Sequence, residues 1–484
     1  MREILLQRGV LFSIILGGVF SAGRVWADAY TIAYDTVQAT AYRNLSNGFL
    51  GAAVGVAQIE LQRPETNHVA FSNIVFTLHQ SDSGGAHPTG VGSILYGRAE
   101  GFNGGVATGV TNVEYWNANN FINQIILSNG TIASKVVSQS YTGGTNLYSA
   151  YNAAFDYWIQ QRKTVVVSGG VGTATNWDWP SSAYNGISVG ASDSEGNPTG
   201  GPVGPTQNGR AKPDLIAPRS AQVAASPSIT GNNITFTNSS YTSIEGVSLS
   251  TPFVAGAATL LIDAALGTAG LSNGTDPRVV KSILMTSAKK MAGWHKGTNG
   301  ANDDASAPLD FTQGAGLLQV KAAYDLLSAG EQAYGPGNVL SNGWDYAAVG
   351  GIVANRTRTY NLFLSNSLFL SNSFTITATL NWFEDVINPD FGSYGTSLEN
   401  LDLKLKTGGT TVQFSTSVVD NVEHIWFTTN APGIYTLEVT HNSSTATDYA
   451  LSWNATPVPE PSLALLLTVA LGGGLAARRF FTRL

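Results

Sequence analysis

The segment "GVSLSTPFVAGAA", from Gly246 to Ala258, places Ser248 among small residues directly before a long apolar segment. A serine hydroxyl is a poor nucleophile until a base takes its proton and a third group holds that base. If Ser248 performs chemistry, the chain must also supply a histidine and a carboxylate in suitable positions. Otherwise Ser248 is an ordinary helix cap.

The chain has six histidines, and His87 has the surroundings that best suit a general base. It stands in "GGAHPTGVGSILYG", a glycine-rich entry into a helix of small residues, which permits close approach to a reacting centre. His68 lies in the polar segment "ETNHVAF", and His424 and His441 belong to the C-terminal part of the chain. No single histidine is diagnostic alone, so the elements that position them must be considered.

Short β-branched runs alternate with helix-length segments from residue 50 to about 330. This alternation predicts a parallel α/β sheet. One helix is predicted in "LYSAYNAAFDYWIQQ", and a second, apolar nearly all round, follows Ser248 and should be buried in the centre. The runs that indicate buried strands are "VGVAQIE" (54–60), "KVVSQS" (135–140), "KTVVVSGG" (163–170) and "GISVGAS" (186–192).

After about residue 340 the sequence alternates apolar and polar residues between turn signals. Six or more such strands predict an antiparallel β-sandwich. The tandem "LFLSNSLFLSNS" (362–373) is a six-residue duplication that we interpret as a lengthened strand or loop. The six runs are "FTITATLNWFE", "LDLKLKTGG", "TVQFSTSVV", "HIWFTT", "GIYTLEVTHN" and "YALSWNA".

Composition excludes several functional classes. The net charge of -7 offers no polyphosphate-binding face, so we expect no nucleic-acid partner. The chain has no cysteine, which excludes disulfides, thiolate nucleophiles and zinc–thiolate sites. Charged residues make up only 12%, about half of the globular norm of roughly 25%.

Both ends of the chain indicate export. Arg2 and Arg8 precede the apolar stretch "GVLFSIILGGVFSAG", and "VWAD" predicts signal-peptide cleavage after Ala27. The C-terminal segment "PVPEPSLALLLTVALGGGLAARRFF" combines a proline-rich turn, a short apolar helix and two arginines. It resembles the PEP-CTERM sorting tail, which implies membrane attachment before processing by an exosortase-type enzyme in a Gram-negative bacterium. A plain C-terminal anchor is the alternative.

Several segments, in order, resemble the subtilisin family of serine proteases. "GVSLSTPFVAGAA" is similar to the family's serine signature, "HPTGVGS" to its histidine signature and "GVAQIELQ" to its aspartate strand. "KPDLIAP" (212–218), "GVATGV" (105–110) and "GAGLLQVKAA" (314–323) match further family segments. The order carboxylate, histidine, serine is that of subtilisin, and the resemblance covers roughly residues 45 to 328.

The resemblance implies that Ser248 is the nucleophile and His87 the general base. It places Glu60 where the family has the aspartate that orients the histidine, and Asp35 in "TIAYDTV" is the rival carboxylate. The family's oxyanion asparagine falls on Val171 and its threonine before the serine on Val247, so backbone donors would remain.

These observations predict a secreted, slow serine endopeptidase that acts on protein or peptide substrates. The alternative is an inactive relative that serves as an extracellular binding or matrix protein. No cofactor is required; a structural calcium is compatible with the resemblance but has no assignable site, since "ANDDASAPLD" (301–310) also suits a solvated acidic loop. The predicted domains are a signal peptide (1–27), a peptidase domain (28–335), a β-sandwich (336–456) and a sorting tail with a short transmembrane helix (457–484).

Overall fold

The computed structural model describes most of the chain between residues 32 and 458. The predicted signal peptide, Val171 and residues 459–484 of the predicted tail lie outside the described residues. The described ranges are 32–46, 48–98, 104–141, 143, 150–170, 177–199, 201–226, 230–231, 234–298, 303–304, 306–365, 373–387 and 393–458.

A seven-stranded sheet, parallel throughout, forms the centre of the N-terminal part. Its order is β2-β3-β1-β4-β5-β6-β7, so β1 lies in the interior between β3 and β4. The predicted parallel α/β fold is confirmed, and all four predicted strands are present. The strands are β1 (Val56–Glu60), β2 (Val75–Leu78), β3 (Asn112–Asn117), β4 (Val136–Gln139), β5 (Val165–Gly169), β6 (Ile187–Ser192) and β7 (Leu215–Pro218).

Seven helices with defined bounds accompany the strands in the described part of the chain, and residues 32–36 are also helical. The seven are α1 (Ala39–Arg43), α2 (Ala86–Tyr96), α3 (Ala118–Phe121), α4 (Ala150–Arg162), α5 (Ser250–Gly267), α6 (Pro277–Thr286) and α7 (Val320–Ser328). Helix α5 packs against β4, β5, β6 and β7 and is buried from Ser250 to Ala265, as its sequence predicts. The stretch Val247–Gly267 is long and apolar enough to cross a membrane, but the fold buries 94% of its most apolar 18-residue window.

Short ribbons and turns lie between the longer strands and helices. Two small antiparallel ribbons precede Ser248: β8 (Ser220–Ala224) pairs with β11 (Tyr241–Glu245), and β9 (Thr230–Gly231) pairs with β10 (Ile234–Thr235). The 3₁₀ turns are Val69–Phe71, Val247–Leu249, Ser272–Thr275 and Val353–Asn355, and Ile122–Ile126 forms a π-helix.

Two mainly antiparallel sheets make up most of the C-terminal part, and both contribute to one buried apolar cluster. A separate antiparallel pair is formed by Asp385–Ile387 and Gly395–Ser397. One sheet has the order β12-β14-β21-β18-β19 and the other β13-β22-β15-β20. The strands are β12 (Asn338–Val339), β13 (Asn342–Gly350), β14 (Thr357–Leu364), β15 (Phe374–Trp382), β16 (Asp385–Ile387), β17 (Gly395–Ser397), β18 (Leu401–Thr407), β19 (Thr410–Ser415), β20 (Val422–Thr429), β21 (Gly433–His441) and β22 (Ala446–Pro457).

Helix α6 joins the two parts because it packs against β15 and β22. At this junction the hydroxyl of Thr286 lies 2.8 Å from that of Thr379 and 2.7 Å from that of Ser452, all three buried. The side-chain amide of Asn381 donates to the carbonyl of Arg278 at 2.5 Å. The junction is therefore held by specific buried hydrogen bonds as well as by apolar contact.

The sequence missed β2, β3 and β7 in the parallel sheet and β12, β13, β14, β16 and β17 in the C-terminal part. Strand β2 is an exposed edge strand, and β3 carries Asn and Glu in half-exposed positions, so neither shows a continuous apolar run. The duplicated segment 362–373 begins inside β14, while its residues 366–372 lie outside the described part.

Candidate active site

Glu60 and His87 are brought together by the central strand and the helix that follows it. Glu60 is the last residue of β1, and His87 is the second residue of α2. Oε2 of Glu60 lies 3.1 Å from Nδ1 of His87. With a proton on Nδ1, the imidazole donates to the carboxylate and leaves Nε2 as a neutral acceptor, which is the tautomer that a general base needs.

The two partners differ sharply in solvent exposure. The side chain of His87 is 45% exposed, whereas that of Glu60 is 3% exposed. Burial raises the pKa of Glu60 above its ordinary value, and the hydrogen bond and charge of His87 oppose that rise. Burial alone would lower the pKa of His87, but the hydrogen bond and charge of Glu60 outweigh it and raise the pKa above 6.5. The buried carboxylate therefore favours a protonated His87, as in a triad.

Ser248 lies in the 3₁₀ turn Val247–Leu249, between β11 and the start of α5. This turn packs against α2, the helix that carries His87. The hydroxyl of Ser140 donates to the backbone carbonyl of Ser248 at 2.9 Å. Ile59 pairs with Gln139 across β1 and β4. The next residues, Glu60 and Ser140, therefore lie side by side at the carboxyl ends of these two strands. Ser248 is therefore held at the strand ends from which Glu60 projects.

Within the described residues, no hydrogen bond joins the ring of His87 to the hydroxyl of Ser248. Catalytic hydrogen bonds are often long without substrate and shorten in the reacting complex. The structure therefore pairs Glu60 with His87 directly and brings Ser248 to the same edge of the sheet through Ser140.

Two residues, Val171 and Val247, stand at the predicted oxyanion positions. Val171, at the position of the family's asparagine, lies outside the described residues. Val247 is the first residue of the 3₁₀ turn and offers no side-chain donor. A backbone N–H at the start of this turn remains as a donor near Ser248.

The other candidates lie elsewhere. Asp35 is exposed in the helical residues 32–36 and interacts with Arg43, not with His87. His68 is buried: its Nδ1 accepts from the N–H of Ala70, and its Nε2 bonds the carbonyl of Ser240 at 2.9 Å. His68 thus lies in a loop segment, and its ring is buried because it caps the turn Val69–Phe71.

No metal site is evident among the described residues, where no group of three or more histidine and acidic side chains could hold an ion. The acidic loop 301–310 is only partly described: Asp303 accepts from the N–H of Lys296, and Asp304 accepts from Ser306. Both carboxylates therefore have partners within the protein.

Sequence analysis missed two residues that border the site, Gln58 and Tyr96. Gln58 lies on β1 two residues before Glu60 and is fully buried, and Tyr96 ends α2. A glutamine inside the otherwise apolar run "VGVAQIE" is the signal that could have revealed them, since a buried amide needs hydrogen-bond partners.

The family model described as the subtilase family, Peptidase_S8, matches residues 60–316. The match includes Glu60, His87 and Ser248. No curated protein matches the chain.

The solved structures that resemble this chain include three proteases. The self-cleaved protease domain of PatA has 19% identity and a TM-score of 0.42, covering 58% of this chain and 98% of that chain. The prenylagaramide maturation protease PagA has 20% identity and a TM-score of 0.42, covering 57% and 94%. The MycP3 protease from the type VII (ESX-3) secretion system has 17% identity and a TM-score of 0.44, covering 62% and 89%.

Proposed function

The chain belongs to the subtilase family, and on this premise we propose that it is a secreted serine endopeptidase with the triad Ser248, His87 and Glu60. The observation that carries the proposal is the pairing of Glu60 with His87 at 3.1 Å, at the same strand ends as Ser248. Glutamate has one methylene more than aspartate, yet its carboxylate reaches Nδ1 of the histidine.

In the proposed reaction, Oγ of Ser248 attacks the carbonyl carbon of the scissile peptide while Nε2 of His87 takes the hydroxyl proton. Glu60 stabilises the resulting imidazolium through Nδ1 and remains ionised. The tetrahedral oxyanion is met by backbone N–H groups. His87 then gives its proton to the leaving amine, and a water molecule hydrolyses the acyl-enzyme by the same steps in reverse order. This chemistry requires no cofactor.

Val171 and Val247 should affect the rate of turnover because valine has no side-chain hydrogen-bond donor. Their counterparts in the family supply side-chain donors to the oxyanion, and loss of one such donor in subtilisin lowers kcat by about 100- to 1000-fold. We therefore propose slow turnover. In the alternative, the chain is an inactive relative that acts as an extracellular binding or matrix protein. The observation that supports this alternative is that no hydrogen bond joins His87 to Ser248 in the described part of the chain.

The proposal also assigns roles to the C-terminal sheets and to the two terminal segments of the chain. The two C-terminal sheets would form a β-sandwich beside the peptidase domain, with boundaries near residues 335 and 456. The terminal segments would direct export, attach the chain to the membrane and present its tail to an exosortase-type enzyme outside a Gram-negative cell. Mass spectrometry of the protein from its host tests this, since it reports cleavage after Ala27 and removal of the tail.

The deciding experiment is covalent labelling with a fluorophosphonate probe. Wild type should be labelled, His87→Ala should be labelled far more slowly, and Ser248→Ala should not be labelled. Ser181→Ala is the matched control, because Ser181 is a buried serine whose hydroxyl bonds the Asp178 carbonyl outside the site. Equal labelling of wild type and Ser248→Ala would contradict the protease proposal and favour a binding role.

A further inference from the structure

The side chain of Gln58 connects β1 to both ends of helix α2. Its Nε2 donates to the carbonyl of Pro88 at 2.8 Å, and its Oε1 accepts a hydrogen bond from the hydroxyl of Tyr96. Gln58 and Tyr96 are fully buried. Side chains on a helix point back towards its N-terminus, so a tyrosine in the last turn can reach an amide beneath the first.

Gly92 provides the space for this arrangement. A Cβ at Gly92 would lie 2.5 Å from the hydroxyl of Tyr96, which is closer than side chains approach, and 3.0 Å from Oε1 of Gln58, which is a tight contact. The glycine in the middle of α2 therefore allows the tyrosine hydroxyl and the amide to meet against the helix backbone.

The partners of Gln58 also fix which way its amide faces. If the amide were reversed, Oε1 would face the Pro88 carbonyl, and two acceptors would meet. With the observed orientation, the Gln58 side chain lies near enough to Glu60 to lower the pKa of that carboxyl. Gln58 and Glu60 project from the same face of β1, because side chains two residues apart in a strand share a face.

The carboxylate of Glu60 has few other restraints. Its Oε2 bonds His87, while Oε1 is buried and has no hydrogen bond of normal geometry among the described residues. The extra methylene of glutamate also adds a rotatable bond to be ordered. The position of the Glu60–His87 pair must therefore depend on the distance between β1 and the first turn of α2.

We propose that Gln58 and Tyr96 are positioning residues that set this distance and so hold His87 at Glu60. Pro88, whose carbonyl Gln58 binds, is the residue after His87. Strand β1 thus holds the ring of His87 through Glu60 and the adjoining backbone through Gln58. This inference deepens the proposed function and rests on it.

The test compares Tyr96→Phe and Gln58→Met with the control Tyr42→Phe. Tyr42 is also a fully buried tyrosine, and its hydroxyl donates to the carbonyl of Phe49 at 2.6 Å, away from the site. For each protein we would measure kcat and KM on a peptide substrate and thermal unfolding. NMR would give the pKa of the His87 ring, assigned with His87→Ala.

We expect both site variants to lower kcat by about 10- to 100-fold at unchanged KM, since small misplacements of reacting groups have effects of that size. They should also lower the pKa of His87, while Tyr42→Phe changes only stability. The inference is overturned if Tyr96→Phe and Gln58→Met match the control in both kcat and the His87 titration. If wild type proves inactive but the titration shifts in the site variants alone, the positioning role stands and the protease proposal fails.

Discussion

The hydroxyl of Ser140 donates to the backbone carbonyl of Ser248 and so joins the residue after β4 to the turn that carries Ser248. Both ends of this 2.9 Å contact lie at the strand ends that also carry Glu60. The serine is therefore held through its backbone, which leaves its own hydroxyl available to react.

Ser140→Ala should lower kcat while the fold is retained. Loss of this hydrogen bond frees the 3₁₀ turn to move, and we expect a decrease of about 10-fold, equivalent to roughly 1.4 kcal/mol of a typical hydrogen bond. Steady-state kinetics on a chromogenic peptide would measure it. Ser181→Ala is the control, and a Ser140→Ala enzyme as fast as that control would rule out the restraint.

Glu60→Gln should cut turnover by roughly 10⁴-fold, the loss seen for the equivalent change in a trypsin-like triad. The amide removes the negative charge that raises the pKa of His87 and can stabilise the wrong tautomer. Glu114→Gln is the matched control. Glu114 lies on the neighbouring strand β3 and pairs with Nε2 of His79 at 3.1 Å, and neither residue contributes to the proposed triad. Equal turnover in both variants would remove Glu60 from the mechanism.

The pH dependence should reflect the raised pKa of His87. A general base must be neutral, so kcat/KM should fall as pH decreases through the His87 pKa, with a midpoint above the ordinary value of about 6.5. In Glu60→Gln the residual activity should show this midpoint at lower pH, because the partner's charge is gone. A wild-type midpoint below 6.5 would contradict the pairing in solution.

Thr286→Val should destabilise the protein by about 1–3 kcal/mol, since it leaves the buried hydroxyls of Ser452 and Thr379 without one partner. Urea unfolding, followed by circular dichroism, measures the change. Thr275→Val is the control, because its hydroxyl bonds only the Ser272 carbonyl near the surface. If both variants unfold at the same urea concentration as wild type, the junction does not depend on this network.

Gly256→Ala should also destabilise the fold, although alanine is the better helix former by roughly 1 kcal/mol. A Cβ at Gly256 would lie 2.5 Å from Cβ of Val106, and forcing extra volume into a packed core costs about 1–3 kcal/mol. Thermal unfolding should show a lower midpoint. The control Gly337→Ala, where a Cβ meets no atom within 4 Å, should leave the midpoint unchanged; a rise for Gly256→Ala would contradict close packing.

The elements that the sequence predicted best are those that are buried on all sides. Strands β1, β4, β5 and β6 and helix α5 are buried on all sides, so their apolar runs are unbroken or nearly so. Strand β2 is missed because its exposed edge needs no apolar pattern. Strand β13 alternates incompletely, since Gly343, Trp344 and Asp345 are consecutive buried residues.

The site was harder to predict than the fold. Motif order led to Glu60, His87 and Ser248, but Asp35 could be set aside only when its helix placed it beside Arg43. The contacts of Gln58 and Ser140 depend on strand register and on the distance between strand and helix, which no motif encodes. The burial of His68 was not predicted, because a histidine in a polar segment does not reveal that its ring caps a turn.

Helix α5 begins two residues after Ser248 and is buried along nearly its whole length against four strands of the sheet. The serine thus gains its place only when segments far apart in sequence have assembled around that helix, including Ser140, 108 residues earlier. Such long-range contacts form late and slowly in folding. If Ser248 is the nucleophile as proposed, a chain that is still incomplete or unfolded should not yet hold it in a reactive position, so that the completion of folding sets the time at which activity begins.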